Sequence, residues 1–197
     1  MAGKYLIAGL GNIGPEYAAT RHNVGFMVLD NLIEGTDTIF NSDRLAFRAT
    51  MSYRGRELFL IKPTTYMNLS GRAISYWLQK ESIPIENLLV ICDDIAIPFG
   101  TLRMKKKGSD GGHNGLANIA EFLESFQFAR LRVGVGKDFH PGEQIDYVLG
   151  TFTDEQVKLL PSLLSRACQA IKDFVFIGPD RAMNICNTKP IEEKPEE

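Results

Sequence analysis

The strongest constraint on this chain is a five-residue run, Leu88-Leu89-Val90-Ile91-Cys92, that contains no polar side chain and ends on Asp93-Asp94. Successive side chains of a strand point to opposite faces, so a strand apolar at every position is buried on both sides. The run therefore predicts a central strand in a sheet covered on both faces. A second apolar run, Tyr5–Leu10, predicts another buried strand and leads into glycines.

The rest of the chain alternates in period. Val24, Met27, Val28 and Leu32 fall at helical spacing within Asn23–Glu34, and Leu69–Lys80 and Leu116–Leu123 read as further helices. Ala46–Tyr53 and Glu57–Lys62 flank Arg54-Gly55-Arg56 as a hairpin, while Thr101–Lys106 and Arg130–Val135 read as strands. Thr153-Asp154-Glu155-Gln156 is a capping-box pattern opening a long helix to about Phe176, stopped by Gly178-Pro179. Strands interleaved with helices predict an α/β fold: a single domain with a mixed, twisted sheet flanked by helices on both faces. At 197 residues and 44% hydrophobic content the chain suits one such domain. We place that domain at residues 1–188 and read 189–197 as a flexible acidic tail, rich in proline and charge.

Charge narrows the function. The net charge is −2, and the tail holds four acids against two bases, so the body is balanced. Global attraction to a polyanion is excluded, and any nucleic-acid contact must come from a local patch. Arg103, Lys105, Lys106 and Lys107 form one such cluster, with Arg130 and Arg132 on another strand. The three cysteines, Cys92, Cys168 and Cys186, are too few and too widely spaced for a disulfide scaffold or a zinc site. Nothing resembles a signal peptide or a membrane span, and a cytoplasmic location is expected.

Gly9-Leu10-Gly11-Asn12-Ile13-Gly14 matches the dinucleotide fingerprint G-x-G-x-x-G. Its context does not. Pro15-Glu16-Tyr17 follows where a helix should begin, and Asp30 and Glu34 lie within a helix rather than at a second strand end. The loop reads as a tight turn that sets Asn12 at a strand end, and a nucleotide-dependent oxidoreductase is disfavoured.

Three histidines are available: His22 before a helix, His113 between glycines, and His140 in an irregular segment. Gly-x-Ser-x-Gly is absent, and Cys92 beside two acids is a poor thiolate. No His-x-x-x-His or paired cysteines suggest a metal site. What remains is a histidine–carboxylate pair that activates water: an aspartate accepting Nδ1–H fixes the tautomer and leaves Nε2 to take a proton. Asn12, Asn68 and Asn114 recur in loops, and an amide both donates and accepts.

With these residues in view, the chain resembles the bacterial peptidyl-tRNA hydrolase family from Tyr5 to about Phe152, and more weakly in the C-terminal helix. The resemblance is carried by Gly9-Leu10-Gly11-Asn12, Tyr17-x-x-Thr20-Arg21-His22-Asn23-x-Gly25, Lys62-Pro63-Thr64-Thr65-Tyr66-Met67-Asn68-x-Ser70-Gly71, Asp93-Asp94-x-x-x-Pro98 and Gly111-Gly112-His113-Asn114-Gly115-Leu116. It implies hydrolysis of the ester between a peptide and tRNA, with His22 as base and Asp93 as its carboxylate partner. Asn12 and Asn68 would hold the substrate near the ester and Asn114 would position water or peptide. Tyr17 and Met67 would line the cleft, with His113 also among the substrate-binding residues. Lys105 and Arg132 would grip the tRNA 5′-phosphate. The resemblance further implies a monomer that uses no metal or cofactor. A non-catalytic RNA-binding relative of the same fold is the alternative. The chain departs from the family pattern at Ile13, where proline is usual, at Ala96, where an acid is common, at Ser109-Asp110, and in a longer loop at Lys137-Asp138-Phe139.

Overall fold

Alternation along the central strand decides the layering. A computed structural model describes residues 3–188. In it β5 (Leu88–Asp94) sends Leu89 and Ile91 to one hydrophobic core and Leu88, Val90 and Cys92 to the other. Strand β1 (Lys4–Gly9) divides the same way, with Ile7 on the first side and Leu6 and Ala8 on the second. Each apolar run is thus buried twice, as the lack of polar positions requires.

The remaining strands are β2 (Asn41–Asp43), β3 (Ala46–Tyr53), β4 (Arg56–Pro63), β6 (Leu102–Lys105) and β7 (Ala129–Gly134). They form one seven-stranded sheet in the order β2-β3-β4-β1-β5-β7-β6. The inner strands β4, β1, β5 and β7 run parallel, and the two edges are closed by antiparallel pairs. One face is covered by α1 (Val24–Ile33), α5 (Asp154–Ile177) and α6 (Pro179–Thr188). The other carries α2 (Ser70–Glu81) and α3 (Asn114–Leu123). The mixed, doubly covered sheet read from the sequence is the fold observed.

The hairpin β3–β4 and the capping box of α5 occur where the sequence places them: the Thr153 hydroxyl accepts from the Gln156 amide at 3.3 Å, and the Gln156 side chain accepts from the Thr153 amide at 3.1 Å. Three elements have no counterpart in the sequence reading: the short β2, a five-residue helix α4 (Gln144–Val148), and α6. Gly178-Pro179 does end α5, but a proline at the first position of a helix sacrifices no intrahelical bond, and α6 starts on it. The acidic tail at 189–197 lies outside the described residues.

The glycine loop after β1 is explained by packing. A Cβ on Gly9 would sit 2.3 Å from the carbonyl oxygen of Gly25, and one on Gly25 would sit 2.5 Å from the Leu10 nitrogen. The two glycines let the first turn of α1 lie directly on the carboxyl ends of β1 and β5. That close approach brings the residues flanking α1 to the place where parallel strands end and ligands collect.

Candidate active site

Asp93, one residue before the end of β5, has only 3% of its surface exposed. A buried carboxylate needs partners, and here both are imidazoles. His22 Nδ1 lies 2.8 Å from Asp93 Oδ1, and His113 Nε2 lies 3.0 Å from the same oxygen. His22 is delivered by a 3-10 turn, Arg21–Asn23, that runs into α1, and His113 by the N-cap of α3. The two rings stand 5.1 Å apart.

The hydrogen-bond network assigns the protons. His113 Nδ1 accepts from the backbone amides of Gly115 at 3.1 Å and Leu116 at 3.4 Å, capping α3. An accepting nitrogen carries no proton, so His113 bears its hydrogen on Nε2 and donates it to Asp93. Asp93 Oδ1 also accepts from His22 Nδ1, which leaves the His22 Nε2 lone pair free. Burial alone would raise the Asp93 pKa, but first His113 and then His22 outweigh it and hold the carboxyl well below the usual carboxylate range. The Cys92 thiol, by contrast, is pushed far up by burial and next by Asp93, so it is no nucleophile.

These groups open onto a cavity of about 470 Å³. Asn12, His22, Met67, Asn68, Asp93, His113, Asn114 and Arg132 all line it, drawn from loops far apart in the chain. Asn12 is the most constrained of the asparagines. Its Oδ1 accepts from the Met67 backbone amide at 3.0 Å, while its Nδ2 donates to no group among the described residues. Its own backbone is held at both ends by Asn23, whose Oδ1 accepts from the Asn12 amide and whose Nδ2 donates to the Asn12 carbonyl, each at 2.8 Å. Asn68 and Asn114 are exposed and make no side-chain hydrogen bond among the described residues, leaving both amides free to face a ligand.

Five residues singled out in the sequence have the following places in the structure. Tyr17 is not among the described residues lining the cavity; it closes the 3-10 turn Pro15–Tyr17, and its carbonyl accepts from both the amide and the hydroxyl of Thr20. His113 lines the cavity, yet both its ring nitrogens are engaged inside the protein. Arg130 is no part of an exposed basic patch: it is wholly buried, and carbonyls of Gly108, Ser109, Phe126 and Phe128 surround its guanidinium. Burial, followed by the charge of Arg132, draws its pKa down to about 10. Arg132 itself is tied to Asp94 Oδ2 at 3.1 Å and to the Ser109 carbonyl at 2.8 Å. Lys105 stands exposed on the edge strand β6, outside the cavity lining.

Two contributors were not read from the sequence. Asn23 is one; its signal is its place directly after His22 at the N-cap of α1, where it is 2% exposed. The other is α4 with its C-cap: Ile145, Val148 and Leu149 form an apolar part of the cavity wall. Their i, i+3, i+4 spacing was the available sign.

Among the described residues, the ligand atoms of His22, Asp93 and His113 lie within 4.8 Å of one another, close enough to share a cation. To do so both imidazoles would have to surrender the protons they now give Asp93. A free imidazole nitrogen beside unpaired amide donors in a partly apolar cavity is, instead, the equipment for activating water against a carbonyl.

The family model described as peptidyl-tRNA hydrolase matches residues 6–194. The chain belongs to that family. It is 57% identical to the peptidyl-tRNA hydrolase of Cytophaga hutchinsonii over 186 residues, 94% of this chain and 99% of the relative. It is 56% identical to that of Bacteroides fragilis, again over 94% of this chain and all of the relative. The crystal structure of peptidyl-tRNA hydrolase from Acinetobacter baumannii superimposes with a TM-score of 0.88 at 32% identity, covering 95% of this chain and 96% of that one. The chain is therefore a peptidyl-tRNA hydrolase by family, an ester hydrolase with a single mixed sheet. No described helix is long and apolar enough to cross a membrane.

Proposed function

We propose that His22 is the general base that hydrolyses the ester joining a peptide, or an N-blocked amino acid, to the terminal ribose of tRNA. The observation that carries this reading is the 2.8 Å contact of His22 Nδ1 with buried Asp93, which leaves Nε2 as the acceptor of a water proton. The resulting hydroxide attacks the ester carbonyl. The Asn12 Nδ2 donor, fixed by the Met67 amide, is suited to the carbonyl oxygen as it gains charge. Asp93 balances the imidazolium that forms, and collapse of the tetrahedral intermediate returns the proton to the departing ribose hydroxyl. Asn68 and Asn114 supply donors and acceptors for the peptide backbone, and Met67 an adaptable apolar contact. General-base catalysis contributes about 10²–10⁴-fold, so substrate positioning supplies the remainder.

For the tRNA body, Lys105 offers an exposed cation for a 5′-phosphate, with Arg103, Lys106 and Lys107 exposed beside it. Arg132 joins that contact only by exchanging Asp94 for the phosphate. The chain works as a monomer in the cytoplasm.

The deciding experiment is release of N-acetyl amino acid from N-acetyl-aminoacyl-tRNA by wild type and His22→Ala, side by side. We expect the variant to lose at least about 10²-fold in kcat with an unchanged melting curve. Substantial residual turnover would overturn the assignment of the base, and tight RNA binding without turnover in the wild type would select a non-catalytic role.

A further inference from the structure

Arg21, the residue before the proposed base, is buried to 7% exposure without a carboxylate on it among the described residues. Such a burial is costly, and its partners show what it is for. Its Nη1 donates to the Tyr147 carbonyl at 3.1 Å, and its guanidinium lies 4.1 Å from the centre of the Tyr147 ring. Nη2 donates to Gln156 Oε1 at 3.4 Å, the same oxygen that closes the capping box of α5. The Arg21 amide donates to the Gly150 carbonyl, and Thr20 pairs with Thr151 in an isolated antiparallel bridge. The packing at Gly150 is tight: a Cβ there would approach Arg21 Nη1 to 3.1 Å and the Asp146 and Tyr147 carbonyls to 3.2 Å.

These contacts hold the carboxyl end of α4, the residues just after it and, through Gln156, the first turn of α5. Tyr147 belongs to that helix, and its hydroxyl donates to the Val135 carbonyl just beyond β7. Ile145, Val148 and Leu149, on either side of Tyr147, form the apolar wall of the cavity that His22 enters. Ile145 is 68% exposed and α4 buries no residue fully; besides Arg21, its anchors run through Tyr147, by the bond to Val135 and the Phe139 ring 4.9 Å away. His22, in contrast, is fixed by Asp93.

We propose that Arg21 is a positioning residue that locks the apolar wall of α4 at a set distance from the base, so that the wall can receive an apolar part of the acyl group. The guanidinium stacks on one α4 ring while its backbone belongs to the turn that presents His22. Displacing the guanidinium loosens α4 without disturbing the bonds of His22 or His113 to Asp93. The inference rests on the hydrolase reading of the cavity, but its readout is separate: loss of the base lowers kcat, whereas loss of the wall weakens substrate binding.

The test is Arg21→Lys, which keeps the charge but loses the planar stack and the forked donors. With N-acetyl-aminoacyl-tRNA carrying a large apolar side chain, KM should rise roughly five- to tenfold while kcat changes less than about twofold. With N-acetyl-glycyl-tRNA the rise should nearly vanish, because there is no side chain for the wall to hold. Hydrogen exchange should quicken at the amides of Tyr147, Leu149 and Gly150 and stay unchanged at Gly115 and Leu116 in α3. Tyr147→Leu, which removes the ring from the other side, should raise KM for the same substrate, and the double variant should be no worse than either single one. A fall in kcat with KM unchanged, equal effects on the two substrates, or strictly additive variants would overturn the proposal. Should Arg21→Lys fail to fold, Tyr147→Leu carries the same substrate comparison by itself.

Discussion

Replacing Asp93 by asparagine isolates what the second histidine does. Asparagine keeps the shape and offers one carbonyl oxygen and one NH₂ group to the two imidazoles. If the NH₂ faced His22, it would donate to Nδ1 and force the proton to Nε2, and the base would be lost outright. His113 forbids that orientation. Its Nδ1 is occupied by the amides of Gly115 and Leu116, so its Nε2 must remain a donor, and a donor will not face an NH₂ group. The asparagine oxygen is therefore turned toward both rings, and His22 keeps its tautomer. What disappears is the carboxylate charge beside the imidazolium formed in the reaction. A charge-assisted hydrogen bond exceeds a neutral one by about 1–2 kcal/mol, and unit charges near 4 Å at an effective dielectric of 20 interact by about 4 kcal/mol. A loss of about 2–4 kcal/mol predicts a fall in kcat of roughly 30- to 1000-fold. Adding His113→Leu removes the constraint on the asparagine, and the double variant should lose about another tenfold, down to the level of His22→Ala. Single-turnover release of N-acetyl amino acid measures all four proteins, with melting curves to register the lost cap on α3, worth about 1 kcal/mol. The reasoning is refuted if Asp93→Asn alone is as inactive as His22→Ala, or if His113→Leu adds nothing to it.

Three further outcomes are expected. Asp93 is ionised more readily in the folded chain than at its ordinary value of 3.8, so its stabilising share is complete above that pH and fades as pH falls below it. The destabilisation of Asp93→Asn, measured by urea unfolding, should therefore be larger near pH 7 than near pH 3. Asn23→Ala leaves the amide and carbonyl of Asn12 without partners and should cost about 1–3 kcal/mol, a fall in Tm of about 2–4 °C for each kcal/mol by calorimetry. Lys105→Ala should raise KM with little change in kcat and reduce the salt slope of binding by about one, read from KM between low and high salt.

Backbone periodicity made the fold legible. The unbroken apolar runs of β1 and β5 required burial on both faces, and the capping box at Thr153 required a helix start; both are consequences of local geometry that a linear sequence carries in full. The reactive residue types were legible too, because few side chains here can activate water. Other features depend on neighbours distant in the chain. Arg130 and Arg132 look like equivalent surface cations in sequence, yet one is enclosed by carbonyls and the other held by Asp94, since the loop at Gly108 and Ser109 folds over their strand. His113 sits between glycines like a residue awaiting a ligand, but the start of α3 takes one nitrogen and Asp93, 20 positions away, takes the other. Sequence by itself determined the central strands, the long helices and which groups can do chemistry, because those follow from short-range sterics and side-chain identity. Only the tertiary structure decided which nitrogen carries a proton and which cation is free, because a hydrogen bond acts over about 3 Å of space regardless of separation along the chain.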